Sequence, residues 1–264
     1  MSPLPDGLRS AVTTLAARPK VVLATDFDGT LAPLVTDPLT ARAADGGLEA
    51  LRAAAALPGV TVALVSGRDV ATLGRLAGAL AGEPLVLVGS HGAHSSLDDD
   101  GDEPLLSPQE STMLVQATAE AEAIVARHPG TRIEHKPASV SVHTRGIDPG
   151  TAEAALREAA DVPDRVPGLH VMPGKQVVEL AVLATNKGTA LVDLARARGA
   201  EATLYLGDDV TDERAFEALD PDAGDVTVKV GDGATAAAWR VDDVADVVAT
   251  LRLFVEARTR SQTA

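Results

Sequence analysis

The chain has no cysteine among its 264 residues, which excludes disulfides, thiolate nucleophiles and cysteine-ligated zinc or iron–sulfur sites. Aromatic residues make up only 2% of the sequence, so alanine, valine and leucine must fill the core. No apolar run approaches the roughly 18 to 20 residues that span a bilayer, and the first residues lack the pattern of a signal peptide. We therefore expect a cytoplasmic protein that does not bind a membrane.

Basic residues are outnumbered by acidic ones. The 23 Lys and Arg residues against 38 Asp and Glu residues give a formal net charge of −15. Because such a chain repels a phosphate backbone, we do not expect nucleic acid as a partner. The length suits one or two domains with a sizeable core, and we expect two domains in a monomer.

Apolar strands alternate with helices in the first and last parts of the chain. Strands are predicted at residues 21–25, 60–65, 85–88, 202–206, 226–230 and 244–248, and helices at 8–17, 46–57, 69–80 and 187–198. The strands are apolar runs without alternation, which is typical of a parallel sheet covered on both faces. We expect an α/β fold with its active site at the C-terminal ends of the strands.

The middle of the chain has a different rhythm. Helices are predicted at residues 108–127 and 149–160, and strands at 131–135, 139–145, 169–172 and 176–182. This αββαββ order predicts an antiparallel sheet with helices on one face. Five carboxylates within residues 98–103 predict a solvated border loop. Residues 104–182 are therefore interpreted as a domain inserted into a core formed by residues 1–103 and 183–264.

Two aspartates directly follow the first predicted strand, in the segment DFDGTL at residues 26–31. Carboxylates at positions i and i+2 can converge where the turn is irregular, and Gly29 permits such a turn. A carboxylate pair is useful when an oxygen-loving cation such as Mg²⁺ offsets its repulsion. An acidic turn without further function is the alternative for this segment taken alone.

A second acidic segment, GDDVTDE at residues 207–213, follows another predicted strand and precedes a helix. The helix dipole explains acidic residues in a first helical turn, here Asp212 and Glu213, but explains Asp208 and Asp209 less well. Carboxylates at two strand ends of one parallel sheet could meet as a Mg²⁺ site.

Two further motifs offer groups that could hold a phosphate. Ser66-Gly67-Arg68 ends the second strand and places a hydroxyl and amide donors there. Lys187 opens a helix, where the dipole disfavours a cation, and a role in facing phosphate would explain it. A surface lysine is the alternative.

In this order and context, the four motifs resemble those of the haloacid dehalogenase superfamily, which implies a Rossmann-like core. The resemblance implies that Asp26 is the nucleophile and forms an aspartyl-phosphate, and that Asp28 is the general acid and base. It implies that Ser66 and Lys187 hold phosphoryl oxygens. The implied Mg²⁺ ligands are Asp26, the backbone carbonyl of Asp28, Asp208 and Asp212, with Asp209 less certain.

The inserted segment resembles the larger type of cap in this superfamily, and nearly the whole chain resembles trehalose-6-phosphate phosphatases. The resemblance rests on residues 89–93 (GSHGA), 134–145, 174–180 (GKQVVEL) and 186–188, besides the core motifs. Residues at alternate positions of the strand from Ser139 to Arg145 would form a polar face for a sugar. The implied substrate-binding residues are Gly67, Arg68, His91, Lys136, His143, Lys175 and Glu179.

The resemblance thus implies a Mg²⁺-dependent phosphatase of trehalose 6-phosphate, with the cap closing over the sugar. Two departures from the family pattern concern the sugar contacts, namely Leu180-Ala181-Val182 after Glu179 and His94 in place of a common acidic residue. The alternatives are a phosphatase of sucrose 6-phosphate or mannosyl-3-phosphoglycerate, a phosphomutase, a receiver-type signalling module and a catalytically silent sugar-binding protein.

Overall fold

The computed structural model, which describes residues 4–79, 82–97 and 106–263, divides into two units. Unit 1 comprises residues 1–97 and 185–264, and unit 2 comprises the continuous segment 98–184. The border loop predicted at residues 98–103 lies outside the described residues. No helix in the described ranges is long and apolar enough to cross a membrane.

Strands and helices are numbered in chain order. The strands are β1 (Val21–Thr25), β2 (Val60–Val65), β3 (Leu85–Gly89), β4 (His94–Ser95), β5 (Arg132–Lys136), β6 (Ser139–His143), β7 (His170–Gly174), β8 (Val177–Ala181), β9 (Ala202–Gly207), β10 (Val226–Val230) and β11 (Trp239–Val241). The helices are α1 (Asp6–Ala16), α2 (Gly47–Ala55), α3 (Val70–Ala77), α4 (Pro108–Arg127), α5 (Pro149–Ala160), α6 (Lys187–Arg198), α7 (Val210–Ala218) and α8 (Val244–Thr263).

Unit 1 is built on a seven-stranded sheet in the order β11-β10-β9-β1-β2-β3-β4. The strand pairs are parallel except for β3 with β4. The central strand β1 and its neighbour β9 are buried along their whole length, as expected for a parallel sheet covered on both faces. The predicted α/β fold with a central parallel sheet is confirmed, and β1, β2 and β9 end at the same edge.

The strand predicted at residues 244–248 is wrong, because this segment is the first part of helix α8. Asp243 caps the helix, and its Oδ1 accepts hydrogen bonds from the backbone N–H groups of Ala245 and Asp246. The buried residues Val247, Val248, Leu251 and Phe254 recur at helical spacing. The valines within residues 244–248 resemble a strand because five residues are too few to show the helical period.

Helix α8 is fastened to the rest of unit 1 by a buried arginine. The guanidinium group of Arg258 donates to the carbonyl oxygens of Ala16, Arg18, Pro19 and Pro58. These carbonyls belong to the end of α1, the turn before β1 and the turn before β2. Arg258 therefore joins α8 to two segments that are distant from it in sequence, residues 16–19 and the turn at Pro58.

Unit 2 contains the αββαββ order predicted from the sequence. Its four-stranded antiparallel sheet has the order β5-β6-β8-β7, with α4 against β5 and β6 and α5 against β8. The register pairs Val140 with Leu180 on one face and Ser141 with Glu179 on the other. One face of this sheet therefore carries buried apolar side chains, and the other carries polar ones.

The aromatic side chains are unevenly distributed between the units. All five of them, Phe27, Tyr205, Phe216, Trp239 and Phe254, belong to unit 1. The ring of Trp239 lies against Gly7 of α1 so closely that a Cβ atom at Gly7 would be 2.4 Å from it. Unit 2 is packed with small and aliphatic residues, such as Ala117, Ala121 and Ile124.

Candidate active site

Carboxylates from two loops of unit 1 meet at the edge where β1 and β9 end. Asp26 follows β1, and Asp208 and Asp212 follow β9. One oxygen atom from each of the three side chains lies within 4.8 Å of the others. The parallel pairing of β1 with β9 places these loops side by side.

Gly29 permits the close approach of the two loops. It has a φ of +80°, and a Cβ atom there would be 2.1 Å from Oδ2 of Asp208. The hydroxyl of Thr30 donates to Oδ1 of Asp208 at 2.9 Å. Glycine and threonine in this segment thus bring one acidic loop against the other.

Lys187 lies at the centre of the acidic cluster and is almost completely buried. Its Nζ is 2.9 Å from Oδ2 of Asp26 and 2.7 Å from Oδ1 of Asp212. Burial opposes its charge, but the two carboxylates together raise the pKa of Lys187 above its usual value. The ammonium group is therefore a fixed positive charge between two aspartates.

The local sequence explains how a lysine can begin a helix here. The side chain of Asn186 caps α6 by accepting from the backbone N–H groups of Gly188 and Thr189. A Cβ atom at Gly188 would be 2.2 Å from the carbonyl oxygen of Arg214, so α6 packs closely against α7.

The three carboxylates have different electrostatic environments. Burial raises the pKa of Asp26 well above its usual range, and Lys187 opposes this shift. Burial also tends to raise the pKa of Asp212, but contact with Lys187 and hydrogen bonds from Tyr205 and Asp209 lower it overall. Burial, aided by the charge of Asp212, raises the pKa of Asp208 to about 6. The cluster therefore contains more negative charge than Lys187 neutralises.

This donor set fits a hard divalent cation. All the ligand atoms are carboxylate oxygens, which Mg²⁺ prefers to nitrogen or sulfur. Because the pKa of Asp208 is raised, a nearby cation would stabilise its charged form. Asp209, the less certain ligand, instead caps α7 through a hydrogen bond from the backbone N–H of Val210.

The loop after β2 lies beside a strained turn that follows β3. Ser90 and His91 have φ values of +50° and +56°, which are uncommon for residues other than glycine. In this conformation Ser90 N–H donates to the carbonyl of Arg68, and His91 N–H donates to the carbonyl of Ser66. The imidazole of His91 lies over Gly67, where a Cβ atom would be 2.5 Å from the ring. The turn therefore fixes the loop of residues 66–68.

Asp28 is not one of the three clustered carboxylates and pairs with Arg68. Nε of Arg68 donates to Oδ2 of Asp28 at 2.6 Å, and Nη2 donates to Oδ1 at 2.7 Å. Arg68 N–H also donates to Oγ of Ser66 at 3.2 Å. The structure thus joins Asp28, Ser66 and Arg68 in one hydrogen-bonded group.

In unit 2 a buried glutamate lies at the centre of the polar sheet face. Glu179 on β8 accepts from Nζ of Lys136 at 2.5 Å and from the hydroxyls of Ser139 and Ser141 at 2.6 and 3.4 Å. Glu179 and Lys136 are both largely shielded from solvent. Four polar residues from three strands therefore form one hydrogen-bonded group.

The other two residues of unit 2 that were predicted to bind substrate, His143 and Lys175, are more exposed than Glu179. The ring of His143 is 2.7 Å from a carboxylate oxygen of Glu134. Lys175 is exposed in the turn between β7 and β8. Arg145 lies beyond the end of β6, so the polar face of this strand ends at His143.

Two residues that contact the cluster were not predicted from the sequence. The hydroxyl of Tyr205 donates to Oδ1 of Asp212 at 2.6 Å, and Nζ of Lys229 donates to the backbone carbonyl of Asp208. Each stands within a predicted apolar strand. A lysine or tyrosine buried in such a strand needs a polar partner, and this was the available signal.

Comparisons with known proteins agree with this architecture. The family described as Trehalose-phosphatase matches residues 24–245. Trehalose-phosphate phosphatase of Mycobacterium tuberculosis is 35% identical over 94% of this chain, and the chain spans 64% of that protein's length. Trehalose-6-phosphate phosphatase of Escherichia coli K12 is 30% identical over 88% of this chain and 85% of its own.

A solved structure shows the same fold. The C-terminal domain of trehalose-6-phosphate phosphatase from C. albicans aligns with a TM-score of 0.77 and 24% identity. The alignment covers 97% of this chain and 98% of that domain. The expected fold, a Rossmann-like core with an inserted α+β segment, is thereby confirmed.

Proposed function

Since the chain belongs to the trehalose-phosphatase family, we propose that it hydrolyses trehalose 6-phosphate to trehalose and inorganic phosphate. The observation that carries this proposal is the buried contact of Lys187 with Asp26 and Asp212, beside Asp208. An aspartate held next to a buried cation is suited to attack a phosphate ester. We expect it to act as a cytoplasmic monomer.

In the first chemical step, an oxygen of Asp26 attacks phosphorus and the bond between phosphorus and the sugar oxygen breaks. Asp28 donates a proton to the leaving oxygen. Burial disfavours the anionic form that Asp26 needs, and Lys187 favours it. Lys187 thus favours the ionised form of the nucleophile and would offset charge on the transferred phosphoryl group.

In the second step, Asp28 accepts a proton from a water molecule that attacks phosphorus of the aspartyl-phosphate. The bond between phosphorus and Asp26 breaks, releasing phosphate and restoring the carboxylate. Ser66 and the backbone of Gly67 would hold the other phosphoryl oxygens.

The carboxylates of Asp26, Asp208 and Asp212 and the backbone carbonyl of Asp28 would hold Mg²⁺. When bound, Mg²⁺ would supply positive charge that offsets the repulsion among the carboxylates and the phosphoryl oxygens. The clustering of three carboxylates and the raised pKa of Asp208 support this assignment.

We propose that residues 104–182 form the domain that recognises the sugar. Glu179, Lys136, Ser139 and Ser141 offer several donors and acceptors in one place, which suits sugar hydroxyls. His91, His143 and Lys175 are further proposed contacts.

The decisive experiment measures phosphate release with Mg²⁺ from equal concentrations of four esters. These are trehalose 6-phosphate, sucrose 6-phosphate, mannosyl-3-phosphoglycerate and glucose 6-phosphate, with Asp26→Asn as the blank. We expect a strong preference for trehalose 6-phosphate and no turnover by Asp26→Asn. Preference for another ester would overturn the substrate and keep the chemistry.

Absence of turnover on every ester would contradict the phosphatase proposal. A stable phosphorylated Asp26 would then favour a signalling module, and sugar binding without phosphorylation would favour a silent homologue.

A further inference from the structure

Arg68 grips the carboxylate of Asp28 with two parallel hydrogen bonds, 2.6 and 2.7 Å long. From this geometry we propose that Arg68 is a positioning residue, which fixes Asp28 for proton exchange with the leaving oxygen and with water. The inference rests on the acid–base role given to Asp28 in the proposed function. It gives Arg68 a different role from the substrate contact predicted from the sequence.

The two aspartates of the loop after β1 are held in different ways. Asp26 is buried, accepts from the N–H of Phe27 at 2.6 Å and contacts Lys187. The side chain of Asp28 is 31% exposed and so has more space in which to rotate. A guanidinium fork fixes both oxygens of a carboxylate, whereas a single donor fixes only one.

The backbone of Arg68 is itself held from several sides. Its N–H donates to Oγ of Ser66, and its carbonyl accepts from the N–H of Ser90. Gly89 approaches so closely that a Cβ atom there would be 2.7 Å from the same carbonyl oxygen. The next residue, Asp69, caps α3 through the N–H of Thr72. Arg68 therefore reaches Asp28 from a rigid base.

The strained turn of Ser90 and His91 contributes to this arrangement. Left-handed residues other than glycine persist where the surrounding structure holds them, and they often occur at functional sites. Here the two residues donate their N–H groups to the carbonyls of Arg68 and Ser66. The strained turn thus holds in place the loop that carries the guanidinium group.

The arrangement can serve both proton transfers. Each carboxyl oxygen has two lone pairs, so an oxygen of Asp28 can exchange a proton at one of them while it still accepts from Arg68 at the other. The orientation of Asp28 is then preserved between the two steps. Since proton transfer requires hydrogen-bond distance, loss of this orientation should slow the chemistry more than substrate binding.

The test compares two esters that differ in their need for an acid. The alkoxide leaving group of trehalose 6-phosphate needs a proton, whereas the phenolate of p-nitrophenyl phosphate leaves readily without one. For Arg68→Met we expect kcat on the sugar phosphate to fall on the order of 10²-fold. The initial burst of p-nitrophenolate should change by less than about 3-fold, and both KM values by a similarly small factor.

Two more variants sharpen the comparison. Arg68→Lys retains the charge without the fork, so it should recover only a small part of the lost kcat. Arg75→Met removes an exposed arginine of α3 and should match the wild type on both esters. Full recovery by Arg68→Lys would overturn the positioning role, because charge alone would then suffice.

Two other results would also overturn the inference. A raised KM with unchanged kcat would make Arg68 a substrate ligand, and equal losses on both esters would make it structural.

Asp28→Asn separates these failures from failure of the proposed function. If Asp28→Asn shows the leaving-group dependence and Arg68→Met does not, only the inference falls. If Asp28→Asn shows none, the acid–base role falls and the inference with it.

Discussion

Asp208 is held partly buried beside Asp212, so its ionisation opposes folding as long as no cation is bound. Its pKa rises from an ordinary value of 3.8 to about 6. The folded state therefore binds this proton more tightly than the unfolded state, and the free energy of unfolding falls as pH rises between these two values. At neutral pH the cation-free protein is therefore less stable than the same fold with an uncharged side chain at position 208 would be.

We predict that Asp208→Asn stabilises the cation-free protein at pH 7.5. The amide keeps an oxygen that can accept from Thr30 and removes the buried charge. The expected gain is ~2–3 kcal/mol, from the free energy equivalent of such a pKa shift. It should fall to about half at pH 5 and vanish below the unfolded pKa. Scanning calorimetry in EDTA measures the effect.

Addition of Mg²⁺ provides the control for this prediction. The ion should raise the Tm of the wild type and leave that of Asp208→Asn nearly unchanged, because binding to the folded state stabilises it. A variant that is less stable than the wild type at pH 7.5 in EDTA would contradict the electrostatic account.

Sequence alone placed the carboxylates of the cluster better than it placed their partners. Asp26 and Asp208 follow predicted strands, and Asp212 and Lys187 lie in the first turns of helices. The strand order of an α/β sheet brings such positions together. The pair of Asp28 with Arg68 depends on which of several nearby groups the arginine reaches. That choice is made by side-chain packing, which no local pattern encodes.

At the level of helices and strands, regular periodicity decided what could be predicted. Helices α4 and α5 begin and end where the sequence predicted them, and their starts are marked by the N-caps Ser107 and Asp148 with a proline after each. The short edge strands β4 and β11 were not predicted, since two or three residues carry no recognisable period. A strand was wrongly predicted at residues 244–248, because these five residues are only a part of a longer helical pattern.

Helix α8 offers a test of how distant segments are joined. We predict that Arg258→Met lowers the free energy of unfolding by about 3 kcal/mol, because four buried or partly buried carbonyls lose a charged donor. A urea titration measures the loss. The activity of the protein that remains folded should not change.

The exposed Arg252 on the same helix is the matched control. Arg252→Met should alter the free energy of unfolding by less than about 0.5 kcal/mol. If the two variants were equally stable, the hydrogen bonds of Arg258 would contribute nothing beyond those of a surface side chain.

For the whole molecule, the main feature is the insertion of one unit into the sequence of the other. The chain leaves and re-enters unit 1 at neighbouring positions, since a Cβ atom at Gly92 would be 2.7 Å from the carbonyl oxygen of Asn186. The carboxylate cluster and Lys187 belong entirely to unit 1. Except for His91, the residues proposed for sugar recognition therefore belong to a different segment of the chain from those proposed for the chemistry.

We predict that replacing residues 98–184 with a short Gly–Ser linker leaves a folded unit 1 that Mg²⁺ still stabilises. The ratio of kcat/KM for trehalose 6-phosphate to that for p-nitrophenyl phosphate should fall at least ~10²-fold, because remote binding energy is lost. Asp26→Asn in the shortened protein gives the background rate. An unchanged ratio would mean that unit 1 recognises the sugar by itself.

The uneven distribution of aromatic residues also makes the two units distinguishable by optical spectroscopy. Every tyrosine, tryptophan and phenylalanine belongs to unit 1, so intrinsic fluorescence and near-ultraviolet absorbance come from that unit alone. The one tryptophan, packed against Gly7, reports on the contact between α1 and β11. Unit 2 contributes only through its peptide bonds. Its loss of structure would therefore alter far-ultraviolet circular dichroism without altering the emission of Trp239.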